Sequence, residues 1–296
     1  MPPALACVVC GHAAVGAVET ATVASNVRAF AAETFALWRC PGCRSIHARD
    51  PVDLDHYYRD YPFQRARPSR VLRFFQGRLW RRLVKAGATP GDHVLDYGCG
   101  RGLLVDELTR RGVAAAGYDA FDPRYQDPAP LARSYDCVLA QDVIEHVDDP
   151  VALLATLGRL ARPGGLVAIG TPDAAAIDLS AADHWRHTLH QPYHRHLLSR
   201  SALHAAGLAL GWLVVARHDR PYTNTWVPTL NLPYLLRYLR AGDDTLDVAF
   251  DPPRFRWAMI APAALVDAVI GAARCPPGDG MTVFRTPVPG LAAGPS

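Results

Sequence analysis

The sequence predicts an α/β domain built on a mostly parallel sheet, and three stretches predict it. His93 to Asp96 is an apolar run ending in an acid. A glycine turn follows, Gly98-Cys99-Gly100-Arg101-Gly102, and a helical pattern opens at Leu103. Val113 to Asp119 is a second short run ending in an acid, twenty-one residues beyond Gly98. Tyr135 to Ala140 is a third, followed by a helical stretch from about Pro150 to Leu160, and Arg162-Pro163-Gly164-Gly165 turns into a fourth run, Leu166 to Gly170. Strands that alternate with helices in this way pair in parallel and bind ligands at the strands' carboxyl ends.

Each element carries its own chemistry. Gly98 and Gly100 permit a tight turn and let a ligand approach the backbone closely. The helix N-terminus after them offers unpaired N–H groups to a carboxylate. A dinucleotide fingerprint needs G-x-G-x-x-G, whereas this turn runs G-x-G-x-G with an acid just before it. Asp119, at the end of the second run, is placed to accept hydrogen bonds from both hydroxyls of a ribose. The segment Gln141-Asp142-Val143-Ile144-Glu145-His146 follows the third run directly.

In order and spacing these blocks resemble class I S-adenosylmethionine (SAM) methyltransferases. The resemblance covers the N-terminal cysteine pairs, the tyrosine-rich connector and the core, and is of the bacterial small-molecule type. It implies a Rossmann-like, seven-stranded methyltransferase sheet, or a shortened version of it, whose last strand runs antiparallel between the fifth and sixth. It also implies a SAM site at Asp96, Gly98, Gly100, Gly102, Asp119, Ala120 and Gln141. Asp96 would meet the amino-acid end, Asp119 the ribose and Ala120 the adenine, with Gln141 beside the sulfonium. Only sixteen residues separate Asp119 from Asp136, and Pro123, Pro128 and Pro130 are among them. That is too few for an ordinary helix plus strand, so the sheet is expected to be short at that edge.

Composition bounds the reading. The chain has 296 residues, half of them hydrophobic, and a net charge of +3. Lys85 is its only lysine, which excludes a P-loop and makes Schiff-base chemistry improbable. There is no charged region followed by an apolar run at the N-terminus, and the most apolar stretch, Trp257 to Ala273, is broken by Pro262 and Asp267. A cytoplasmic protein without a membrane span is expected.

Cys7-Val8-Val9-Cys10 and Cys40-Pro41-Gly42-Cys43 form two C-x2-C knuckles. Four thiolates at Cys7, Cys10, Cys40 and Cys43 suit tetrahedral zinc, the geometry of a zinc ribbon. The loop between the pairs is longer than usual, and Arg44 stands where many knuckles carry glycine; reduced thiols packed as small apolar residues are the alternative. Cys99, Cys137 and Cys275 are not read as nucleophiles.

Five units are expected: a zinc ribbon over 1–50, a connector with a basic amphipathic helix over 51–90, the SAM-binding domain over 91–217, a helical lid inserted over 218–280, and a last strand and tail over 281–296. The helix should run from Pro68 to Lys85, with Leu72, Phe75, Leu79 and Leu83 on one face and arginines on the other. The lid is rich in aromatics, including Tyr222, Trp226, Tyr234 and Trp257, enough to enclose a small organic acceptor.

Residues 183–196 hold five of the twelve histidines. Imidazoles suit removal of a hydroxyl proton near neutral pH, and histidines of this segment stand beside the acceptor in the resembling family. His190 and His194 are the candidate bases, while His196, near the Ser199 cap of the next helix, is structural. Asp142, Glu145 and His146 resemble a cluster that holds a divalent ion in some relatives, and equally suit a structural role at a helix start.

The expected activity is methyl transfer from SAM to a small molecule, an O-methylation in secondary metabolism or cell-surface sugar biosynthesis, with zinc as a structural cofactor. The acceptor could be phosphorylated or nucleotide-linked. Two alternatives stand beside it: a zinc-ribbon RNA methyltransferase whose basic helix meets phosphate, and a non-catalytic zinc- and SAM-binding scaffold. The modest net charge and the apolar lid weigh against RNA.

Overall fold

The structure, a computed structural model, describes residues 5–14, 17–225, 244–251 and 279–290. Most of the expected lid, with Trp226, Tyr234, Tyr238, Phe255 and Trp257, lies outside the described residues, as does Cys275.

The N-terminal part opens with a small hairpin, β1 (Leu5–Ala6) and β2 (Ala13–Ala14), followed by β3 (Thr20–Ala24), β4 (Thr34–Arg39) and β5 (Ile46–Ala48). Short helix α1 (Leu54–Tyr58) leads to α2 (Arg70–Lys85). The main α/β core then follows as β6 (His93–Tyr97), α3 (Leu103–Arg110), β7 (Ala114–Tyr118), β8 (Tyr135–Gln141), α4 (Pro150–Leu160) and β9 (Ala161–Pro172). After α5 (Arg186–Leu189) come β10 (His196–Leu197), α6 (Arg200–Ala209), β11 (Leu213–His218) and β12 (Asp279–Arg285).

Among the described residues the main sheet has six strands, in the order β11-β12-β9-β8-β6-β7. Strands β7, β6, β8 and β9 run parallel, and β12 is antiparallel to both β9 and β11. This is the expected sheet with one edge strand fewer. The reason is visible between Asp119 and Asp136, where the prolines leave room only for a 3-10 turn at Ala129–Ala132. The last strand also starts earlier than the expected boundary at 281, because Asp279 and Gly280 already pair with Pro172 and Thr171.

Alternation along the strands builds two cores. Val94, Leu139, Ala168 and Val283 pack under α2 and α3 with Leu79, Leu83, Leu104 and Leu108. Their neighbours Leu95, Val138, Val167 and Phe284 pack on the other face with Leu154 and Leu157 of α4, Leu203 and Trp212. Each fully buried Val, Leu or Phe side chain among them stabilises the fold by about 1.5–3 kcal/mol.

Helix α2 starts at Arg70 rather than Pro68. The Ser69 hydroxyl accepts from the Leu72 N–H (3.1 Å), so serine acts as the N-cap and Pro68 stays outside. No helix among the described residues is long and apolar enough to cross a membrane.

The N-terminal part does not end its sheet within residues 1–50. Its four-stranded sheet runs β10-β5-β4-β3, so the fourth strand comes from His196–Leu197, paired antiparallel with His47 and Ile46.

Candidate active site

The glycine turn joins β6 to α3 at the carboxyl edge of the sheet. Gly98, Gly100 and Gly102 all have positive φ, at 75°, 49° and 72°. A Cβ at Gly98 would strike Val143, and one at Gly102 would strike the Tyr125 ring, so both positions are closed to larger residues. Asp119 braces the turn: one carboxylate oxygen accepts from the Gly100 N–H (2.8 Å), the other from the N–H groups of Phe121 (2.8 Å) and Asp122 (2.9 Å). Asp96 is buried, and burial together with the charge of Asp119 lifts its carboxyl to about 7. Ala120 is exposed, its carbonyl accepting from Gln126 Nε2. Gln141 ends β8 packed on Gly170 and donates to Asp142 (2.9 Å). The expected SAM residues therefore stand along one sheet edge.

A second group lies beyond this turn. Glu145 is fully buried, and desolvation raises its carboxyl well above the usual range. Its oxygens meet no hydrogen-bond donor among the described residues. One donor atom each from Glu145, His146 and His194 come within 4.8 Å of one another, a grouping that suits a divalent cation. The expected acidic partner is different: Asp142, with φ +55°, takes the Gln141 amide instead, and His194 fills the third position. His194 Nδ1–H donates to the Thr188 carbonyl (2.8 Å), and burial keeps the ring neutral. His190 is buried against Tyr193 (ring centroids 4.8 Å apart), with Nδ1 2.7 Å from Asn26 Oδ1. Its φ of +41° is one that non-glycine residues rarely adopt, and such strain gathers at functional sites.

Tyr58 connects the two groups. Its hydroxyl lies 2.9 Å from His146 Nδ1, and its ring stacks on Phe121 (4.1 Å, 12°), two residues past Asp119. The connector's tyrosines carry no role in the sequence alone; their density, with Tyr57, Tyr58 and Tyr61 within five residues, is the available signal. Tyr57, Tyr58 and Tyr61 pack with Tyr193 into one aromatic cluster against the histidine loop.

The four knuckle cysteines also converge. Cys7 and Cys43 Sγ are 3.6 Å apart, Cys10 and Cys40 Sγ 3.7 Å. A tetrahedral zinc with about 2.3 Å bonds to sulfur sets its ligands about 3.8 Å apart, so the donor set fits the ion. His47 Nε2 approaches Cys7 Sγ (3.2 Å), and its Nδ1 lies 3.0 Å from His196 Nδ1. The fully buried Arg39, next to Cys40, donates to the carbonyls of Ala174 (2.7 Å) and Ile177 (2.6 Å). Ser199, at the far end of the same loop, donates to the Cys43 carbonyl (2.5 Å). The cysteine module thus grips both ends of the segment that carries His190 and His194.

One arginine of the expected basic face is spent on the fold: Arg78 donates to the Tyr222 and Asn224 carbonyls. Just before the helix, the exposed Arg65 pairs with Asp247 and Asp251.

The chain is similar to known proteins over this region. A family model described as a methyltransferase domain matches residues 63–217. The ubiquinone biosynthesis O-methyltransferase of Aeromonas salmonicida is 26% identical over 189 residues, covering 53% of this chain and 79% of that protein. That of Mesorhizobium japonicum is 29% identical over 171 residues, covering 50% of this chain and 63% of that protein. Among solved structures, phosphoethanolamine N-methyltransferase 2 of Haemonchus contortus, in complex with S-adenosyl-L-methionine, has a TM-score of 0.46 and 17% identity, over 71% of this chain and 52% of that one. The matched domain takes in the glycine turn, Asp119, Gln141 and the histidine loop, and the chain belongs to the methyltransferase-domain family as a class I SAM-dependent methyltransferase.

Proposed function

We propose that the chain transfers the methyl group of SAM to an oxygen of a small organic acceptor. In this reading SAM lies on the glycine turn, held by Asp96, Gly98, Gly100, Gly102, Asp119, Ala120 and Gln141, and the acceptor sits between Tyr58 and the histidine loop. Methyl transfer needs an oxygen nucleophile held in line with the activated methyl, so positioning supplies much of the rate. His190 and His194 are the groups that take the acceptor's proton. The observation that carries the reading is His194: buried and neutral, with Nδ1–H tied to the Thr188 carbonyl, it presents Nε2 as a proton acceptor beside Glu145. The named O-methyltransferases among the relatives support an oxygen acceptor.

The cysteine module lies outside the matched domain yet holds the histidine loop. We therefore assign the acceptor to this chain's own pathway, in secondary metabolism or cell-surface sugar biosynthesis, rather than to that of its relatives. A phosphate or nucleotide tail on it would use exposed arginines of α2 such as Arg70 and Arg73. Zinc at Cys7, Cys10, Cys40 and Cys43 would be structural, fixing the knuckles. We place the reaction in the cytoplasm, in keeping with cysteines that are all free among the described residues.

A second reading is favoured by Glu145. A buried carboxylate without a donor, beside two imidazoles, is also what a divalent cation would use, and such an ion would supply charge stabilisation for an oxyanion.

Substitution separates these roles. With a panel of phenolic, catecholic and sugar acceptors, His190→Gln and His194→Gln should each lower turnover by about 10²–10⁴-fold and leave SAM affinity nearly unchanged. Loss of no more than a few-fold in both would make the histidines loop structure. Loss of turnover on chelation, restored by magnesium, would favour the cation reading.

A further inference from the structure

Asn26 lies two residues past β3, 164 residues before His190, and is completely buried between the histidine loop and the N-terminal sheet. Its two side-chain atoms reach two different imidazoles. Oδ1 is 2.7 Å from His190 Nδ1, and Nδ2 is 3.3 Å from His187 Nδ1. The other nitrogen of His187, Nε2, is 2.8 Å from Asp244 Oδ1. Four residues from three separate parts of the chain thus form one line of hydrogen bonds.

The direction of that line follows from its first member. An ionised carboxylate only accepts, so His187 Nε2 must carry the proton it donates to Asp244. In neutral His187 the other nitrogen then bears a lone pair, which accepts from the Asn26 amide N–H. That leaves Asn26 Oδ1 facing His190, and an amide oxygen only accepts, so His190 Nδ1 carries its proton. The single remaining nitrogen of neutral His190, Nε2, bears the lone pair. This nitrogen is shielded from solvent, and the rings around His190 are Tyr61, His146, Tyr193 and His194, the side where the proposed function puts the acceptor.

The backbone holds Asn26 in register for this. The Arg186 guanidinium donates to the Ser25 carbonyl (2.5 and 3.1 Å), the Leu246 N–H donates to the Asn26 carbonyl (2.7 Å), and the Ser25 hydroxyl accepts from the Val27 N–H (3.2 Å). A structural asparagine needs none of these directions, since any donor would satisfy its oxygen.

We propose that Asn26 is a positioning residue for methyl transfer: relaying the polarity of Asp244 through His187, it locks His190 in the Nδ1–H tautomer and so aims a basic Nε2 at the acceptor. The proposal rests on the reading of His190 as a base. The residue that orients the base belongs to the N-terminal module, which apolar packing presses against the histidine loop.

Nitrogen-15 imidazole spectra of the full chain, taken at about pH 8 where ordinary histidines are neutral, test it directly, with His190 assigned by its disappearance in His190→Gln. The expected result is a protonated Nδ1 and an unprotonated Nε2 in the unmodified protein. In Asn26→Ala the signal should shift toward the Nε2–H form, and turnover should fall by about 10²-fold while SAM affinity, which also reports that the core is folded, stays within about twofold. Asn26→Asp keeps the accepting oxygen, so the Nδ1–H form and most of the turnover should return. An Nε2–H tautomer in the unmodified protein would overturn the proposal without any variant, and so would an unchanged tautomer in Asn26→Ala. Full turnover in His190→Gln would instead defeat the base reading, a different result seen in a different measurement.

Discussion

Asp96 shows how a single residue turns burial into chemistry. Its carboxyl is lifted to about 7, first by desolvation and then by the Asp119 charge. The folded state therefore binds this proton more tightly than the unfolded chain, whose aspartates titrate near 3.9. Without ligand, that contribution to stability is present below about pH 4 and is lost as pH rises through about 7. In our assignment Asp96 meets the amino-acid end of SAM, whose ammonium favours the ionised carboxylate. SAM binding should then release a proton and tighten as pH rises from about 6 to about 8. Calorimetry in two buffers of different ionisation enthalpy measures the released proton, and Asp96→Asn should abolish it; a pH-independent affinity would remove Asp96 from contact with the cation. The residue was legible in the sequence, since it ends a strand before a glycine turn. Its altered proton affinity was not, because that depends on what the fold packs around it and on Asp119 brought alongside by β7.

At the scale of elements, the two knuckles repeat one backbone design with different residues. The N–H of Gly11 returns to the Cys7 carbonyl (2.9 Å), and the N–H of Arg44 returns to the Cys40 carbonyl (3.0 Å). Both residues sit in the left-handed region, at φ 70° and 64°. Glycine adopts this at no steric cost, whereas an L-residue with a side chain pays roughly 1–2 kcal/mol, set against about 0.5–1 kcal/mol of extra chain entropy lost by glycine. The Arg44 side chain is exposed, and its one ion pair among the described residues, with Glu19, spans 3.9 Å. Arg44→Gly should consequently stabilise the chain by up to about 1 kcal/mol, measured by chemical denaturation of metal-loaded protein; destabilisation would mean that the side chain holds the knuckle in a way the ion pair does not reveal. Arginine at this position looked like a departure from the ribbon pattern when only the sequence was considered. The carbonyl of Arg44, which accepts from Arg39 Nη1 (3.1 Å), shows that the backbone conformation is retained regardless. Element boundaries moved for similarly local reasons, as where Ser69 rather than Pro68 set the start of α2.

At the scale of the whole molecule, the N-terminal module and the histidine loop form one structural unit. Strand β10 completes the module's sheet, Arg39 holds the loop's start and Ser199 its end, and Val23, Leu37 and Ile46 share a core with Ile177, Leu189 and Leu197. The glycine turn and Asp119 belong instead to the large sheet. Purified protein should carry about one sulfur-bound zinc per chain. Removing it should speed hydrogen exchange across residues 186–199 and lower methyl transfer, while SAM affinity is retained. Equal loss of SAM affinity would show that the module supports the entire core.

The sequence by itself determined what is local. Strand and helix periods, the G-x-G-x-G turn, the acid ending the second strand, the prolines that shorten one sheet edge and the two cysteine pairs are all decided by residues within a few positions of one another, where turn chemistry and alternation operate. Tertiary structure decided which of these meet. The short strand His196–Leu197 has too little periodicity to name its partner, and Asn26 sits in a stretch with no catalytic signature. Their roles arise only because burying the apolar faces of the small sheet and of the histidine loop brings together segments about 135 to 164 residues apart, and a buried polar group in such a contact must find its hydrogen-bond partner there.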